Sequence, residues 1–131
     1  MCGLYNRGTD VISIFKKNLN KNKNLIINGD GNQMRNFLFN EDFSKQFHNF
    51  FSKKYNNKIL NIFSKYNISI NNLAKIFVKL NSNIKIIKKL DKFREDDFDL
   101  RSINLSKLRN IIKIKSEDNI NNKIKNFIQK K

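Results

Sequence analysis

The fold of this chain is decided by residues 29–42, which have the sequence GDGNQMRNFLFNED. The apolar run Leu25-Ile26-Ile27 directly before them predicts a short strand. Asn28-Gly29-Asp30-Gly31 predicts a tight turn after that strand, because these residue types tolerate positive φ. Phe37-Leu38-Phe39 predicts a second strand, and Asn40-Glu41-Asp42 predicts the acidic first turn of a helix.

Arg35 lies between the predicted turn and the predicted second strand. A guanidinium held there suits a fixed two-point contact to a phosphate or a carboxylate, which a flexible lysine does not reproduce. The alternative interpretation is an ordinary surface arginine beside a hairpin, since turns with a neighbouring arginine are common. The local sequence alone favours the surface arginine.

The motif Gly-Asp-Gly-x-Gln-x-Arg, followed by a polar residue, Phe, an aromatic residue and an Asp, resembles the signature of NAD-dependent epimerases/dehydratases. These are extended short-chain dehydrogenases that act on nucleotide sugars. In that family the arginine of the motif lies against the diphosphate of the nucleotide sugar, so the resemblance implies this role for Arg35. Asn36 differs from the family pattern, which usually has Asp there, and Asn40 replaces a β-branched apolar residue.

A second motif carries the same resemblance. The family pairs Arg-x-x-Asp with a later helix start Asp-x-Ser-Lys, and this chain has Arg94 and Asp97 followed at the family's spacing by Asn104. The resemblance implies that Arg94 is a second diphosphate contact and that Asp97 orders the loop or approaches the ribose. Two arginines on opposite walls of a cleft suit a diphosphate, whose charge is spread over several oxygens. The alternative for Arg94 is an ion pair with a neighbouring acidic residue.

Asn61 is the remaining candidate for a ligand contact. It lies in the predicted strand 58–63, where the family begins an Asn-x-Gly-x-Gly loop beside the substrate. Phe63 and Lys65 replace both glycines. An amide can still bond a phosphate or a sugar hydroxyl, but a loop without glycines need not bring its backbone as close. Both a ligand contact and a purely structural role therefore remain open for Asn61.

Apolar spacing predicts further helices and one more strand. A helix beginning after Thr9 or Asp10 extends to about Leu19, and another extends from Glu41 to about Lys54. The latter carries an aromatic stripe of Phe43, Phe47, Phe50 and Phe51. A helix capped by Ser69 has a predicted buried face of Ile70, Leu73, Ile76, Phe77 and Leu80, and a last helix after Glu117-Asp118 has one of Ile120, Ile124, Phe127 and Ile128. Residues 83–87 predict a strand.

The predicted fold class is therefore α/β, or α+β for an isolated piece. The resemblance implies one partial domain over residues 1–131, the C-terminal substrate-binding part of an extended short-chain dehydrogenase without most of its Rossmann domain. It further implies a nucleoside-diphosphate sugar as ligand. A separate Rossmann-domain chain or a homo-oligomer is the further partner to expect.

Catalytic residues of the family are not found in the sequence. Hydride chemistry there uses Tyr-x-x-x-Lys and a Gly-rich dinucleotide turn. The residues four positions after Tyr5, Tyr55 and Tyr66 are not lysines. We therefore expect no cofactor on this chain alone, with NAD(P) implied only for a complete enzyme. Whether this chain is itself an enzyme is left open.

The formal net charge of +16 suggests another class of partner, because nucleic acids attract basic proteins. Here the basic residues are mostly lysines scattered among asparagine and isoleucine along the chain, whereas a dedicated interface concentrates them on one face. A nucleic-acid partner is accordingly the less favoured alternative. A non-functional remnant of the enzyme is a third interpretation, consistent with Asn36 and Asn104.

Cysteine and histidine content limits the chemistry further. Cys2 is the only cysteine and His48 the only histidine, so the sequence offers no intrachain disulfide and no zinc-ligand set. The sequence contains no apolar run long enough to cross a membrane, and its first residues lack the features of a signal peptide. We therefore expect a cytoplasmic protein that does not contact membranes.

Overall fold

The computed structural model describes residues 8, 10–47, 64, 66–91 and 119–129 of the 131-residue chain. Helices and strands are mixed along these residues, which confirms the predicted α/β class. The helices in the described ranges are α1 Val11–Asn20, α2 Asn40–Phe47, α3 Ile70–Val78 and α4 Ile120–Gln129. The strands there are β1 Leu25–Asn28, β2 Met34–Asn36, β3 Asn67–Ser69 and β4 Ile86–Lys89.

The described strands form two separate pairs. β1 and β4 are parallel, with Leu25 opposite Ile86 and Asn28 opposite Lys89. β2 and β3 are antiparallel, with Arg35 opposite Ile68. β1 and β2 therefore belong to different pairs, and the turn between them is not the hairpin of the alternative interpretation.

The predicted first helix is confirmed. Asp10 is the N-cap of α1, and its Oδ1 accepts a hydrogen bond of 3.1 Å from the backbone nitrogen of Ser13. Ile12 and Phe15 face the core. The polar segment after the helix is exposed and turns at Asn22, whose φ is 51°.

The helix capped by Ser69 is also confirmed, with one correction. Ser69 Oγ accepts from the backbone nitrogen of Asn72 at 3.2 Å, and Leu73 and Phe77 are fully buried. Leu80 was predicted on this buried face, but it is 37% exposed. The reason is that α3 ends at Val78 and the chain turns immediately afterwards.

Two predicted strands are placed wrongly. The second strand was predicted at Phe37-Leu38-Phe39, whereas β2 is Met34–Asn36, because pairing with β3 selects those residues. Phe37 and Phe39 are instead buried core residues. The strand predicted for 83–87 is β4, Ile86–Lys89, because residues up to Ile84 form a turn on Asn81 before pairing with β1 begins.

The core lies between α1, α3, β1 and α4. The rings of Phe15 and Phe77 meet edge to face at its centre, with centroids 5.6 Å apart. The last helix was predicted with the correct apolar face, because Ile124 and Ile128 are buried and Phe127 packs against the core. The buried apolar residues in the described ranges are Ile12, Phe15, Leu25, Ile27, Phe37, Phe39, Ile68, Ile70, Leu73, Ala74, Ile76, Phe77, Ile84, Ile124 and Ile128.

The aromatic stripe predicted from Glu41 onwards is only partly described. The rings of Phe43 and Phe47 stack in α2 with centroids 5.4 Å apart, and Phe47 is 45% exposed. Phe50, Phe51 and the predicted strand 58–63 lie outside the described residues. None of the described helices is long and apolar enough to cross a membrane.

Candidate functional site

The loop Gly29–Gln33 joins β1 to β2 and forms the centre of the candidate site. Gly29 and Gly31 both have a φ of 77°, which residues with side chains rarely adopt. A Cβ atom on Gly31 would lie 2.4 Å from Oδ1 and 2.7 Å from Cγ of Asn71. Gly31 is therefore required both by its backbone conformation and by the close approach of α3.

Asp30 stabilises the loop from within. Its Oδ1 accepts from the backbone nitrogen of Asn32, and its Oδ2 accepts from Asn32 Nδ2, both at 2.8 Å. A carboxylate that bonds to the backbone two residues later forms an Asx turn, a common alternative to regular structure in loops. The Asp30 side chain thus holds the loop in its compact conformation.

The first turn of α3 is bonded directly to this loop. The backbone nitrogen of Asn71 donates to Gly31 O at 2.9 Å, and that of Ile70 donates to Gln33 O at 3.2 Å. Asn71 Nδ2 also donates to Asp30 O at 2.9 Å. Helix N-termini carry backbone donors without a partner inside the helix, and here the loop carbonyls accept two of them.

β4 and Gln33 hold the other side of the loop. Lys88 Nζ donates to Asp30 O at 2.8 Å, and the backbone nitrogen of Gly29 donates to Lys89 O at 2.8 Å. Gln33 Nε2 donates to Asn28 O at 3.1 Å. The loop is thus anchored to both β1–β4 and α3, so β2 begins from a fixed point.

Arg35 lies in β2 itself, not before it as predicted. It is half-buried and opposite the buried Ile68, so both residues belong to one face of the β2–β3 pair. Its Nη1 donates to Met34 O at 3.0 Å. A guanidinium carries five N–H donors in a planar fork, which is the geometry that suits a two-point contact to an oxyanion.

The other three predicted site residues, Asn61, Arg94 and Asp97, lie outside the described residues. Their approach to Arg35 therefore stays a prediction.

Sequence analysis missed the part that Asn36 plays beside Arg35. Asn36 Nδ2 donates to Ser64 O at 2.7 Å and to Tyr66 O at 3.1 Å, while its Oδ1 accepts from the backbone nitrogen of Ser64 at 2.8 Å. Nδ2 also donates to Oδ1 of Asn67, the residue opposite Asn36 in β3. The amide thus fixes the start of β3 next to the arginine.

A buried ion pair was missed as well. Lys123 of α4 bonds to Asp42 of α2, and the two side chains are 9% and 6% exposed. The Lys123 ammonium lies 5.7 Å from the ring centroid of Phe39 and 5.9 Å from that of Tyr66. Nothing in the sequence around Lys123 distinguishes it from the many exposed lysines, because its partner is remote in the chain.

The described residues were compared with two kinds of cofactor site, a metal-ligand cluster and the Gly-rich turn of dinucleotide-binding folds. No group of three His, Cys, Asp or Glu side chains comes together within the described ranges. The Gly-rich turn of dinucleotide-binding folds leads from a strand into a helix, whose N-terminus holds the pyrophosphate. The loop Gly29–Gln33 leads into β2 instead, and it does not form that motif.

Comparisons with known proteins give structural matches only. No family model matches the chain, and no curated protein matches its sequence. The fold is similar to that of dTDP-glucose 4,6-dehydratase from Bacillus anthracis in complex with NAD, at 18% identity and a TM-score of 0.74 over 97% of this chain and 40% of that one. An epimerase from Methanothermobacter thermautotrophicus is 19% identical, with a TM-score of 0.77 over 92% and 36% of the two chains.

A third similar structure is UDP-glucose 4-epimerase from Thermotoga maritima with UDP-glucose, at 17% identity and a TM-score of 0.75 over 92% and 38% of the two chains. The predicted resemblance to NAD-dependent epimerases/dehydratases is thus confirmed at the level of the fold. The chain spans about two fifths of the length of these proteins.

Proposed function

We propose that this chain is the nucleotide-sugar-binding part of an NAD-dependent sugar epimerase or dehydratase. The observation that carries the proposal is the loop Gly29–Gln33, anchored on two sides, which leads into the strand that presents Arg35. The ligand class is supported by the likeness of this fold to two solved structures, one with UDP-glucose and one with UDP-N-acetylmuramic acid.

In this proposal Arg35 binds the diphosphate of a nucleoside-diphosphate sugar. A strand restricts the stem of the side chain, so less conformational freedom is lost when the guanidinium binds two phosphate oxygens. Arg94 binds the diphosphate from the other side, while Asn61 and Asp97 contact the phosphate, the sugar or the ribose. These three assignments rest on the sequence motifs.

The chain's own residues bind and orient the sugar nucleotide. The acid/base tyrosine and the dinucleotide site come from a Rossmann segment, whether on the same polypeptide or on a separate one, and NAD(P) supplies hydride transfer there. The chain alone is inactive in this proposal. We expect the complete assembly in the cytoplasm, without a membrane partner.

Calorimetry at moderate salt tests the binding step. UDP, GDP and dTDP sugars are titrated into the purified chain and into Arg35→Ala. We expect one of the three nucleotides to bind saturably and Arg35→Ala to weaken that binding by about 10- to 100-fold, because a charge-assisted hydrogen-bonded contact contributes about 1.5–3 kcal/mol.

Two further variants separate geometry from charge. Arg35→Lys keeps the charge but lacks the planar fork, so we expect it to lose most of the affinity. Lys17→Ala removes one positive charge from the exposed surface of α1 and should leave affinity unchanged. Binding that falls equally in Arg35→Ala and Lys17→Ala, and falls steeply with salt, would instead favour non-specific attraction of polyanions, as expected of a nucleic-acid-binding module. A folded chain that binds none of the sugars would contradict the proposal.

A further inference from the structure

We propose that Asn28–Gly29 is a deamidation site, at which Asn28 loses its carboxamide nitrogen without an enzyme. We further propose that the folded loop prevents this reaction. Glycine after asparagine favours the reaction, because it has no side chain to block the approach of its backbone nitrogen to the carboxamide. Asn28 is exposed at the last position of β1. No other asparagine of the chain precedes a glycine.

The chemistry requires only water. The backbone nitrogen of Gly29 attacks Cγ of Asn28, and the new N–Cγ bond closes a succinimide ring. The bond from Cγ to Nδ2 breaks, and Nδ2 leaves as ammonia with the proton released by the Gly29 amide. Water then adds to one of the two ring carbonyls and opens the ring. The product is aspartate, or isoaspartate whose main chain passes through the former side chain.

The attacking nitrogen is held by β4 in the folded chain. The Gly29 N–H donates to Lys89 O at 2.8 Å, and Gly29 is buried. Asn28 lies opposite Lys89 in the parallel pair, which keeps its backbone extended. Attack on Cγ requires the nitrogen to lose this bond and turn towards the side chain. The end of β4 must therefore separate from β1 before the ring can close.

Gln33 restrains the same peptide group from its other side. Its Nε2 donates to Asn28 O at 3.1 Å. Two residues further along the chain, Asp30 O accepts from Lys88 Nζ and from Asn71 Nδ2. A rotation of the Asn28–Gly29 peptide breaks the bond to Gln33 and strains those to Asp30. Strand pairing and loop contacts thus together prevent the attack of the Gly29 nitrogen on Cγ of Asn28.

Modification of an opened molecule is permanent. The ammonia is lost to solvent, and isoaspartate adds one atom to the main chain between residues 28 and 29. The hydrogen bond from Gly29 to Lys89 and the register of the strand pair then cannot both be restored. A modified chain therefore shows that β4 had separated from β1 at an earlier time. This inference is independent of the proposed sugar-nucleotide binding.

The test compares the folded chain with the chain in guanidinium chloride, at the same temperature and in the same mildly alkaline buffer. Mass spectrometry of the peptide containing Asn28 measures replacement of the carboxamide by a carboxylate. We expect conversion to be at least about tenfold slower in the folded chain, because only molecules with an opened β4 react. In denaturant, Asn28 should react before the other asparagines, and Asn28→Gln should abolish the signal from this position.

A matched pair of variants tests the restraint by Gln33. Gln33→Ala removes the bond to Asn28 O, whereas Asn18→Ala removes a similar side-chain bond, from Asn18 Nδ2 to Asn24 O, on the other side of β1. Gln33→Ala should raise the native rate several-fold, and Asn18→Ala should not. Equal rates in the folded and unfolded chain would contradict the protection of Asn28 by the folded loop. An Asn28 that survives in denaturant while other asparagines react would contradict the assignment of Asn28 as the deamidation site.

Discussion

The side-chain amide of Asn36 bonds to Ser64, Tyr66 and Asn67, which lie 28 to 31 residues further along the chain. Two of these contacts are to backbone carbonyls, which accept hydrogen bonds and never donate them. The position therefore requires a donor in addition to the oxygen that accepts from the Ser64 backbone nitrogen. The sequence resemblance identified Asn36 as a departure from the aspartate usual in the family, and the structure supplies a physical reason for the asparagine.

Asn36→Asp should therefore destabilise the chain. A carboxylate has no hydrogen to give to Ser64 O or Tyr66 O, and losing such a donor at a half-buried site costs about 1–3 kcal/mol. Denaturant unfolding followed by circular dichroism measures the loss. Asn72→Asp adds the same charge at an exposed position in the first turn of α3, where we expect a change within about 0.5 kcal/mol. Equal stability of the two variants would contradict the role of Asn36.

At the scale of elements, α1 and α3 could be predicted from sequence because their signals are local. Asp10 and Ser69 are capping residues, and apolar spacing selects the buried faces. The predicted limits of β2 and β4 were wrong by a few residues, because strand limits depend on partners far away in the chain. The Gly29–Gly31 turn was predicted, but its anchoring by Asn71 and Lys88 was not, since neither is near it in sequence.

The close approach of α3 to the loop leads to a prediction for Gly31. Gly31→Ala adds a Cβ that meets the Asn71 side chain and must also adopt positive φ. We expect a loss of about 2–4 kcal/mol, of which about 1–2 kcal/mol comes from the backbone conformation alone. Thermal and denaturant unfolding measure it.

Gly8→Ala is the matched control. Gly8 has a φ of 71°, and an added Cβ would meet no atom of the described residues within 4 Å. We expect only the backbone cost of about 1–2 kcal/mol for this variant. A Gly31→Ala chain as stable as Gly8→Ala would mean that Asn71 moves away without cost.

At the scale of the whole molecule, the resemblance predicted the fold because motifs from most of the chain pointed to one family. Arg35 was the one candidate ligand contact that the described residues include, and its motif could be recognised from sequence. The pair of Lys123 and Asp42 could not be, because its members are 81 residues apart and each is unremarkable in its own segment. This pair joins α2 to α4, the last helix of the described residues.

Removing the Lys123 ammonium should lower the free energy of unfolding. Lys123→Met leaves the Asp42 carboxylate buried without its partner, and we expect a loss of about 3–5 kcal/mol. The double variant Asp42→Leu with Lys123→Met removes both charges and should recover most of that loss. Unfolding free energies of both single variants and the double variant measure the coupling. Additive losses would show that the two side chains do not depend on each other.

The parallel pairing of β1 with β4 also sets an order of events during protein synthesis. The loop after β1 leaves the ribosome long before Lys88 and Lys89, which hold Asp30 and Gly29. Strand pairing between such distant segments forms late in folding, because the intervening chain must first be brought together. The loop therefore reaches its final conformation only after some sixty further residues have been translated.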